Sequence, residues 1–211
     1  MRHYVLVLSL AFLFSGCSEE VNNESEQSPP PVEDKQPEEQ DQTSLLAYFP
    51  PDGSTAYFQG EGNEFASYTL QTTYLDPQHI AQIEDNGGVT LLKIYRISDS
   101  SIDLVYREPV DSKPSLPSAA EAATYPVLET ILQKPLKVGS SFQGWTIQSM
   151  TATVHTGTMV YQNVIQLSRT DDKVKTTKYF ALGIGLIRSE DTMETDQEEP
   201  FVVTSTLQKI E

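Results

Sequence analysis

Residues able to do nucleophilic or redox chemistry are scarce in this 211-residue sequence. It contains one cysteine, Cys17, and three histidines, His3, His79 and His155. Nucleophilic catalysis needs Ser, Cys or Thr beside a base, and the G-x-S-x-G pattern of a nucleophile elbow is absent from the sequence. Because His79 and His155 lie in or beside strand-like segments, we expect structural histidines there. The sequence thus predicts a non-enzymatic protein without a cofactor.

Acidic side chains are abundant, with 30 Asp and Glu against 14 Lys and Arg and a formal net charge of −16. Nucleic-acid affinity comes mainly from clustered cations, so a nucleic-acid partner is excluded. One acidic segment, 190–199, could offer oxygen ligands to Ca²⁺, but it lacks the D-x-D-x-D-G spacing. We therefore expect a solvated hairpin loop there and no metal site. Its six acids are Glu190, Asp191, Glu194, Asp196, Glu198 and Glu199.

Aromatic residues are concentrated between Tyr48 and Tyr74. A curved sheet lined with such rings could hold an apolar ligand or stack on sugars. The alternative is that the rings fill the core of a sheet, because aromatic residues are favoured in strands. The candidate ligand face consists of Tyr57, Phe58, Tyr68, Tyr74 and Trp145.

The first residues resemble a bacterial lipoprotein signal. Arg2 precedes an apolar run of eleven residues, Tyr4 to Phe14, which is shorter than the roughly 20 residues that a membrane-spanning helix needs. A basic start, a short apolar run and small residues before a cleavage site are typical of export signals. Leu13-Phe14-Ser15-Gly16-Cys17 resembles a lipobox, with Phe14 as its departure from the usual pattern. The resemblance implies a signal peptide at 1–16 and a Cys17 that is lipidated and anchored in the membrane.

Residues 17–44 are predicted to hold the lipidated cysteine and a disordered acidic linker. From Ser18 to Ser44 there are nine acids, one base and a Pro29-Pro30-Pro31 run. Such a segment cannot bury enough apolar surface to fold. Signal, lipobox and tether together resemble the lipoproteins of low-GC Gram-positive bacteria, which implies a location outside the cytoplasm on the cell membrane.

Residues 45–211 have an apolar periodicity close to two, which favours strands. Asp85-Asn86-Gly87-Gly88 tolerates positive φ and predicts a hairpin between His79–Glu84 and Val89–Ile97. Gly60-Glu61-Gly62 is read as a turn or bulge. Further strands are predicted at 65–75, 102–107, 145–154, 158–168, 174–182, 186–189 and 201–207.

Two interruptions of the strand pattern have specific interpretations. Four prolines between Glu108 and Pro126 exclude a continuous central strand, while Ser118–Thr124 has the composition of a short helix capped by Ser118. This is the only helix that the pattern predicts. In 145–154 the inward parity changes near Gln148-Ser149, which predicts a β-bulge.

The fold class is therefore mainly β, with a single antiparallel β domain of about ten strands. The sheet curls into a half-barrel or barrel-like form, with a two-sheet sandwich as the alternative. Several segments resemble an uncharacterised family of exported bacterial lipoproteins. They are 60–69, 134–139 and 179–187, with Phe49, Pro50 and Tyr57. The resemblance implies a β-rich extracytoplasmic domain and transfers no activity.

Three functions remain open at the level of the sequence. The first is a non-catalytic module of the cell envelope that binds an unknown envelope component or protein. The second is a carrier of a lipid or other apolar ligand, which predicts an interior pocket instead of a filled core. The third is a hydrolase of wall polymers, which ranks last because the residues offer no nucleophile, base or metal set.

Overall fold

The computed structural model describes residues 43–157, 159–195 and 199–211. The predicted signal peptide, Cys17 and nearly all of the acidic linker lie outside these residues. They stay predictions.

The described chain contains two short helices and twelve strands. A 3-10 helix covers Leu45–Tyr48, and an α-helix, α1, covers Ala119–Ala122. The strands are β1 Thr55–Glu61, β2 Tyr68–Asp76, β3 His79–Asp85, β4 Thr90–Ile97, β5 Ser101–Val110, β6 Glu129–Gln133, β7 Ser141–Phe142, β8 Trp145–Thr156, β9 Met159–Asp171, β10 Val174–Ala181, β11 Gly185–Met193 and β12 Phe201–Ile210.

All twelve strands belong to one antiparallel sheet in the order β6-β5-β4-β3-β2-β1-β12-β11-β10-β9-β8-β7. Apart from β6 and β7, each strand pairs with its neighbours in sequence, and β1 also pairs with β12. The sheet is an up-and-down meander. Its two edge strands, β6 and β7, are consecutive in the chain but are not joined by backbone hydrogen bonds, and the gap between them is called the seam. The fold class is confirmed as a single β domain. Its sheet is barrel-like and nearly closed, so the sandwich alternative is wrong.

Side chains bridge the seam where the backbone ladder is interrupted. The backbone N–H of Thr130 on β6 donates to Gln143 Oε1 at 2.8 Å, beside β7. Glu129 Oε1, also on β6, accepts hydrogen bonds from the Trp145 indole at 3.1 Å and from Arg169 at 3.0 Å. Because Trp145 belongs to β8 and Arg169 to β9, one carboxylate joins both sides of the seam.

The 3-10 helix packs into the main apolar core. Leu45 and Tyr48 are buried with Ile80, Trp145 and residues from most other strands. The Gly183 N–H donates to the Ala47 carbonyl, and a Cβ at Gly185 would lie 2.9 Å from the Tyr48 carbonyl oxygen. Gly185 also has φ +85°, so both its backbone conformation and its close contact with the helix favour glycine.

A second layer covers the opposite face of β3–β5. Ala81, Ile94 and Val105 form an apolar cluster there with Ala122 of α1. The side chain of Ser118 accepts a hydrogen bond from the Glu121 N–H, as the predicted helix cap requires. The short helix thus seals a sheet face that would otherwise expose aliphatic side chains.

Several local predictions are confirmed and others are wrong. The register of β8 and β9 shifts between Ile147 and Ser149, which confirms the bulge. The 85–88 hairpin also forms, with β3 paired to β4.

Other local predictions are wrong. Gly60 and Glu61 belong to β1, and residues 190–193 belong to β11 instead of a loop. The helix at Leu45–Tyr48 and the strands β1, β6 and β7 were not predicted, because they are short or contain Gly and polar residues.

Candidate functional site

A cavity of about 410 Å³ lies inside the curved sheet. Strands β1–β6 and β10–β12, the residues after the 3-10 helix and the β1–β2 loop contribute to its wall. The lining residues are Tyr48, Phe49, Pro50, Ala56, Phe58, Asn63, Phe65, Ala66, Tyr68, Leu70, Gln82, Glu84, Lys93, Tyr95, Ile102, Arg107, Ile131, Lys178, Phe180, Ile184, Leu186, Ser189, Asp191, Val203 and Ser205.

The β1–β2 loop folds back over β1 to form part of the wall. A Cβ at Gly60 would lie 2.2 Å from the backbone of Ala66, so only glycine allows this approach. The Gly60 N–H donates to the Ser67 hydroxyl at 2.8 Å, and the Ser205 hydroxyl donates to the Ala66 carbonyl at 2.7 Å. These contacts fix Ala66 against both β1 and β12.

Aromatic rings form much of the apolar wall. Phe58 and Tyr68 stack with a centroid distance of 4.4 Å and an interplanar angle of 15°. Phe49 meets Tyr95 edge to face at 5.2 Å. Such aromatic pairs contribute about 0.5–1.5 kcal/mol beyond the burial of their area. Tyr68 and Tyr95 also bring their hydroxyl groups to the site.

The two tyrosine hydroxyls stay protonated. Burial, with Glu84 and Tyr95 nearby, raises the pKa of Tyr68 well above its usual value. Burial also raises the pKa of Tyr95, with Glu84 adding to the effect and Arg107 opposing it. Neither hydroxyl makes a hydrogen bond to a residue in the described part of the chain. Both are therefore available as donors inside the cavity.

Two lysines line the cavity in different settings. Lys93 forms an ion pair with Glu84 at 2.5 Å, and these side chains are only 16% and 22% exposed. Lys178 has no acidic partner within ion-pair distance among the described residues. Its Nζ lies 4.8 Å from the ring centroid of Trp145, a cation–π contact. Burial lowers the pKa of Lys178, and the nearby Lys93 and Arg169 contribute to the lowering while Glu129 opposes it.

The candidate ligand face divides into two groups. Phe58 and Tyr68 line the cavity, whereas Tyr57, Tyr74 and Trp145 are engaged elsewhere. Tyr57 donates to Glu211 and lies beneath the Lys209 ammonium, and Tyr74 donates to the Pro50 carbonyl. Trp145 is 1% exposed in the main core.

Sequence reasoning missed the charged residues of the cavity. Glu84, Lys93 and Lys178 lie in predicted strands but were not singled out, and Asp191 was placed in the predicted 190–199 loop. The signal that could have found Lys93 is the alternation of Leu91, Lys93, Tyr95 and Ile97, which places it on the face of the buried Ile97.

The remaining candidate groups have local partners or are exposed. His79 Nδ1 lies 3.0 Å from Asp76 Oδ1, and His155 is exposed. Of the acidic segment, Glu190 pairs with Arg188 and Asp191 accepts a hydrogen bond from Thr176. The described residues contain no cluster of three or more potential metal ligands. Within 43–157, 159–195 and 199–211, no helix has the length and apolarity needed to cross a membrane.

Comparisons with known proteins give a distant structural likeness. No family model matches the chain, and no curated protein matches it. A crystal structure from Bacteroides fragilis, described as an exported protein with a YmcC-like fold, aligns with a TM-score of 0.46 and 15% identity. The alignment covers 80% of this chain and all of that one. At this level the likeness carries no conclusion about activity, and the resemblance to exported lipoproteins stays a prediction.

Proposed function

We propose that this protein is a non-catalytic binding protein that holds a small amphipathic molecule inside its barrel-like sheet. The observation that carries the proposal is the 410 Å³ cavity, whose wall combines aromatic and aliphatic side chains with nine polar or charged ones. Ligand pockets typically enclose about 300–1,000 Å³, with mainly apolar walls and a small number of convergent polar groups. The carrier hypothesis required such an interior pocket, so it now ranks above an interaction module that works only through its outer surface.

The composition of the wall supports binding over catalysis. The cavity-lining residues of the described chain include neither His nor Cys, the side chains that most often act as base or nucleophile. The same wall combines the apolar side chains of Phe58, Leu70 and Phe180 with ammonium and hydroxyl groups. This mixture fits a ligand that has an apolar body and a polar end.

We further propose that Cys17 carries the lipid that anchors the protein to the outer face of the cell membrane. Two acyl chains on one cysteine give stable anchoring, since burial contributes about 0.8 kcal/mol per CH₂. Anchoring would place the cavity beside a source of amphipathic molecules. Replacement of Cys17 by Ala should release the protein from the membrane fraction into the medium. Retention of the variant in the membrane would contradict the anchor.

The binding proposal can be tested by filling the cavity. The full chain is recovered from cells, its small molecules are extracted into solvent, and the extract is analysed by mass spectrometry. Val203 lines the cavity, whereas its neighbour Val202 is 38% exposed and does not. We expect a retained amphiphile with the unmodified chain and with Val202→Trp, and its loss with Val203→Trp. Equal retention by both variants would place the ligand outside the cavity.

A further inference from the structure

Two polar side chains lie directly opposite each other on the cavity wall. Lys178 of β10 pairs in register with Ser189 of β11, and both residues line the cavity. Residues directly opposite in an antiparallel pair project from the same face, with Cβ atoms about 4.5–5.5 Å apart. The ammonium and the hydroxyl therefore approach the same part of the interior.

Neither group has a polar partner in the described part of the chain. The Lys178 ammonium makes a cation–π contact with Trp145 but no ion pair or hydrogen bond there, and the Ser189 hydroxyl makes no hydrogen bond. Lys178 and Ser189 are both half-buried and line the cavity, so a ligand in the cavity can supply the partner that the chain does not. Other polar groups of the same wall do have partners: Lys93 pairs with Glu84, and Ser205 donates to the Ala66 carbonyl.

The acids that act on Lys178 are already committed to other donors. Glu129 Oε1 accepts from Trp145 and Arg169. Asp191 accepts from Thr176 at 2.6 Å. Lys93 and Arg169 add positive charge around Lys178. The charged residues that line the cavity are Lys93, Arg107 and Lys178 against Glu84 and Asp191, so the wall carries an excess of one positive charge (3 − 2 = 1), which a bound anion would balance.

We propose that Lys178 and Ser189 bind the anionic head group of a single-chain amphiphile, a carboxylate or phosphate, whose tail occupies the apolar part of the cavity. This inference rests on the proposed function and specifies the class of its ligand. The tail would lie against Phe58, Leu70 and Phe180, which line the same cavity. The tyrosine hydroxyls of Tyr68 and Tyr95 add donors that favour an anionic or strongly polar head over a neutral hydrocarbon.

The volume of the cavity indicates the size of amphiphile that it can enclose. At about 30 Å³ per water in the liquid, 410 Å³ corresponds to roughly fourteen water molecules. A ligand of about a dozen non-hydrogen atoms fits this space. Decanoate is a probe of this size, 1-decanol is its uncharged counterpart, and acetate carries the head group without the tail.

The test uses the full chain in phosphatidylcholine vesicles, with empty vesicles subtracted. Binding of ¹⁴C-labelled decanoate, decanol and acetate is counted after sedimentation, and emission from Trp145, the one tryptophan of the sequence, is followed in parallel. We expect decanoate to bind at least tenfold more tightly than decanol, a difference of about 1.4 kcal/mol, and to change the Trp145 emission by drawing Lys178 from the ring.

Variants separate the head-group site from the pocket as a whole. Lys178→Met should lower decanoate affinity about tenfold and leave decanol binding unchanged, and Ser189→Ala should lower decanoate affinity less. Lys175→Met is the control, because it makes the same change in charge on the same strand. Lys175 is exposed and does not line the cavity. Circular dichroism confirms that each variant is folded.

The possible results overturn different statements. Equal binding of decanoate and decanol, or a Lys178→Met variant with undiminished decanoate affinity, overturns the anion site and leaves the proposed function standing. Acetate binding as tight as that of decanoate overturns the amphiphile. Failure of the folded, unmodified protein to bind either ten-carbon probe above empty vesicles overturns both the inference and the proposed pocket.

Discussion

Lys93 and Lys178 line the same cavity in opposite electrostatic settings. Lys93 is neutralised by Glu84, whereas Lys178 rests on Trp145 without an acceptor in the described chain. An unpaired buried ammonium destabilises a fold, and the lowered pKa of Lys178 expresses this cost. A group that reduces stability while facing a pocket is typical of a site kept for binding.

We predict that Lys178→Met stabilises the protein without ligand. Methionine retains most of the packing volume and removes the buried charge, so the melting temperature should rise by about 2–4 °C, as roughly 1 kcal/mol does in a domain of this size. The measurement is thermal unfolding followed by circular dichroism. Lys93→Met is the informative comparison, because it leaves Glu84 buried without its partner and should lower the melting temperature. Two variants that change stability in the same direction would contradict this account.

The stabilisation by Lys178→Met should also depend on pH. Because the folded-state pKa of Lys178 lies below its value of 10.5 in the unfolded chain, protonation reduces stability at every pH below the folded-state pKa. This cost disappears as the pH rises through the folded-state pKa toward the unfolded value. The gain in unfolding free energy should therefore be largest below the folded-state pKa and shrink as the pH rises toward 10.5. Chemical denaturation at several pH values measures it, and a gain that grows with pH would be inconsistent with a buried ammonium.

Part of the site could be predicted at the residue scale. Phe58 and Tyr68 were included in the candidate ligand face and do line the cavity. Tyr57 and Trp145 were included because aromatic residues serve equally as ligand platforms and as packing groups. Lys178 could not be found from the sequence. The four residues from Lys175 to Lys178 are all polar, so no alternation of apolar and polar side chains shows which of them face inward.

At the scale of elements, the seam between β6 and β7 decides whether the sheet closes. The carboxylate of Glu129 accepts hydrogen bonds from Trp145 on β8 and Arg169 on β9. Side chains therefore replace the missing backbone hydrogen bonds between the two edges of the sheet. The strands that form the seam are short, and β7 has only two residues. Such strands leave almost no periodic signal, which is why β6 and β7 were not predicted.

Glu129→Gln tests the role of the seam. The amide keeps an acceptor for the indole but removes the charge that balances Arg169 and Lys178. The side chains of Glu129 and Arg169 are 21% and 33% exposed, respectively. We therefore expect the variant to lose about 1–2 kcal/mol of unfolding free energy, less than for a fully buried ion pair. Urea denaturation measures the loss.

The control for the seam is Glu190→Gln. Glu190 pairs with Arg188 on its own strand and does not join the edges of the sheet. It should change stability by less than about 0.5 kcal/mol. A Glu129→Gln variant as stable as the control would mean that the seam holds without this carboxylate.

Longer elements followed directly from the sequence. The β3–β4 hairpin depends on the Asp85–Gly88 turn, where the Gly87 and Gly88 N–H groups bond to Asp85 and Asn86 side chains. The bulge of β8 appeared as a change in apolar parity. Gly60 was predicted to lie in a turn or bulge, but it belongs to β1. Glycine is needed there because a Cβ would collide with Ala66 of the β1–β2 loop.

At the scale of the whole molecule, one continuous meander places the beginning and end of the described chain side by side. β1 pairs with both β2 and β12, so the terminal strands stabilise each other. The 3-10 helix contributes Leu45 and Tyr48 to the core. We predict that residues 44–211 unfold in one cooperative transition, which calorimetry and circular dichroism should report at the same temperature. Two separated transitions would mean that the halves of the meander are independent.

The central claim is that the interior of the sheet binds an anionic amphiphile. The most direct measurement is a structure of the protein determined with saturating decanoate. The account predicts a carboxylate within hydrogen-bond distance of Lys178 Nζ and the Ser189 hydroxyl, with the alkyl chain between Phe58 and Phe180. A cavity filled only by water under these conditions, or decanoate bound solely on the outer surface, would contradict it.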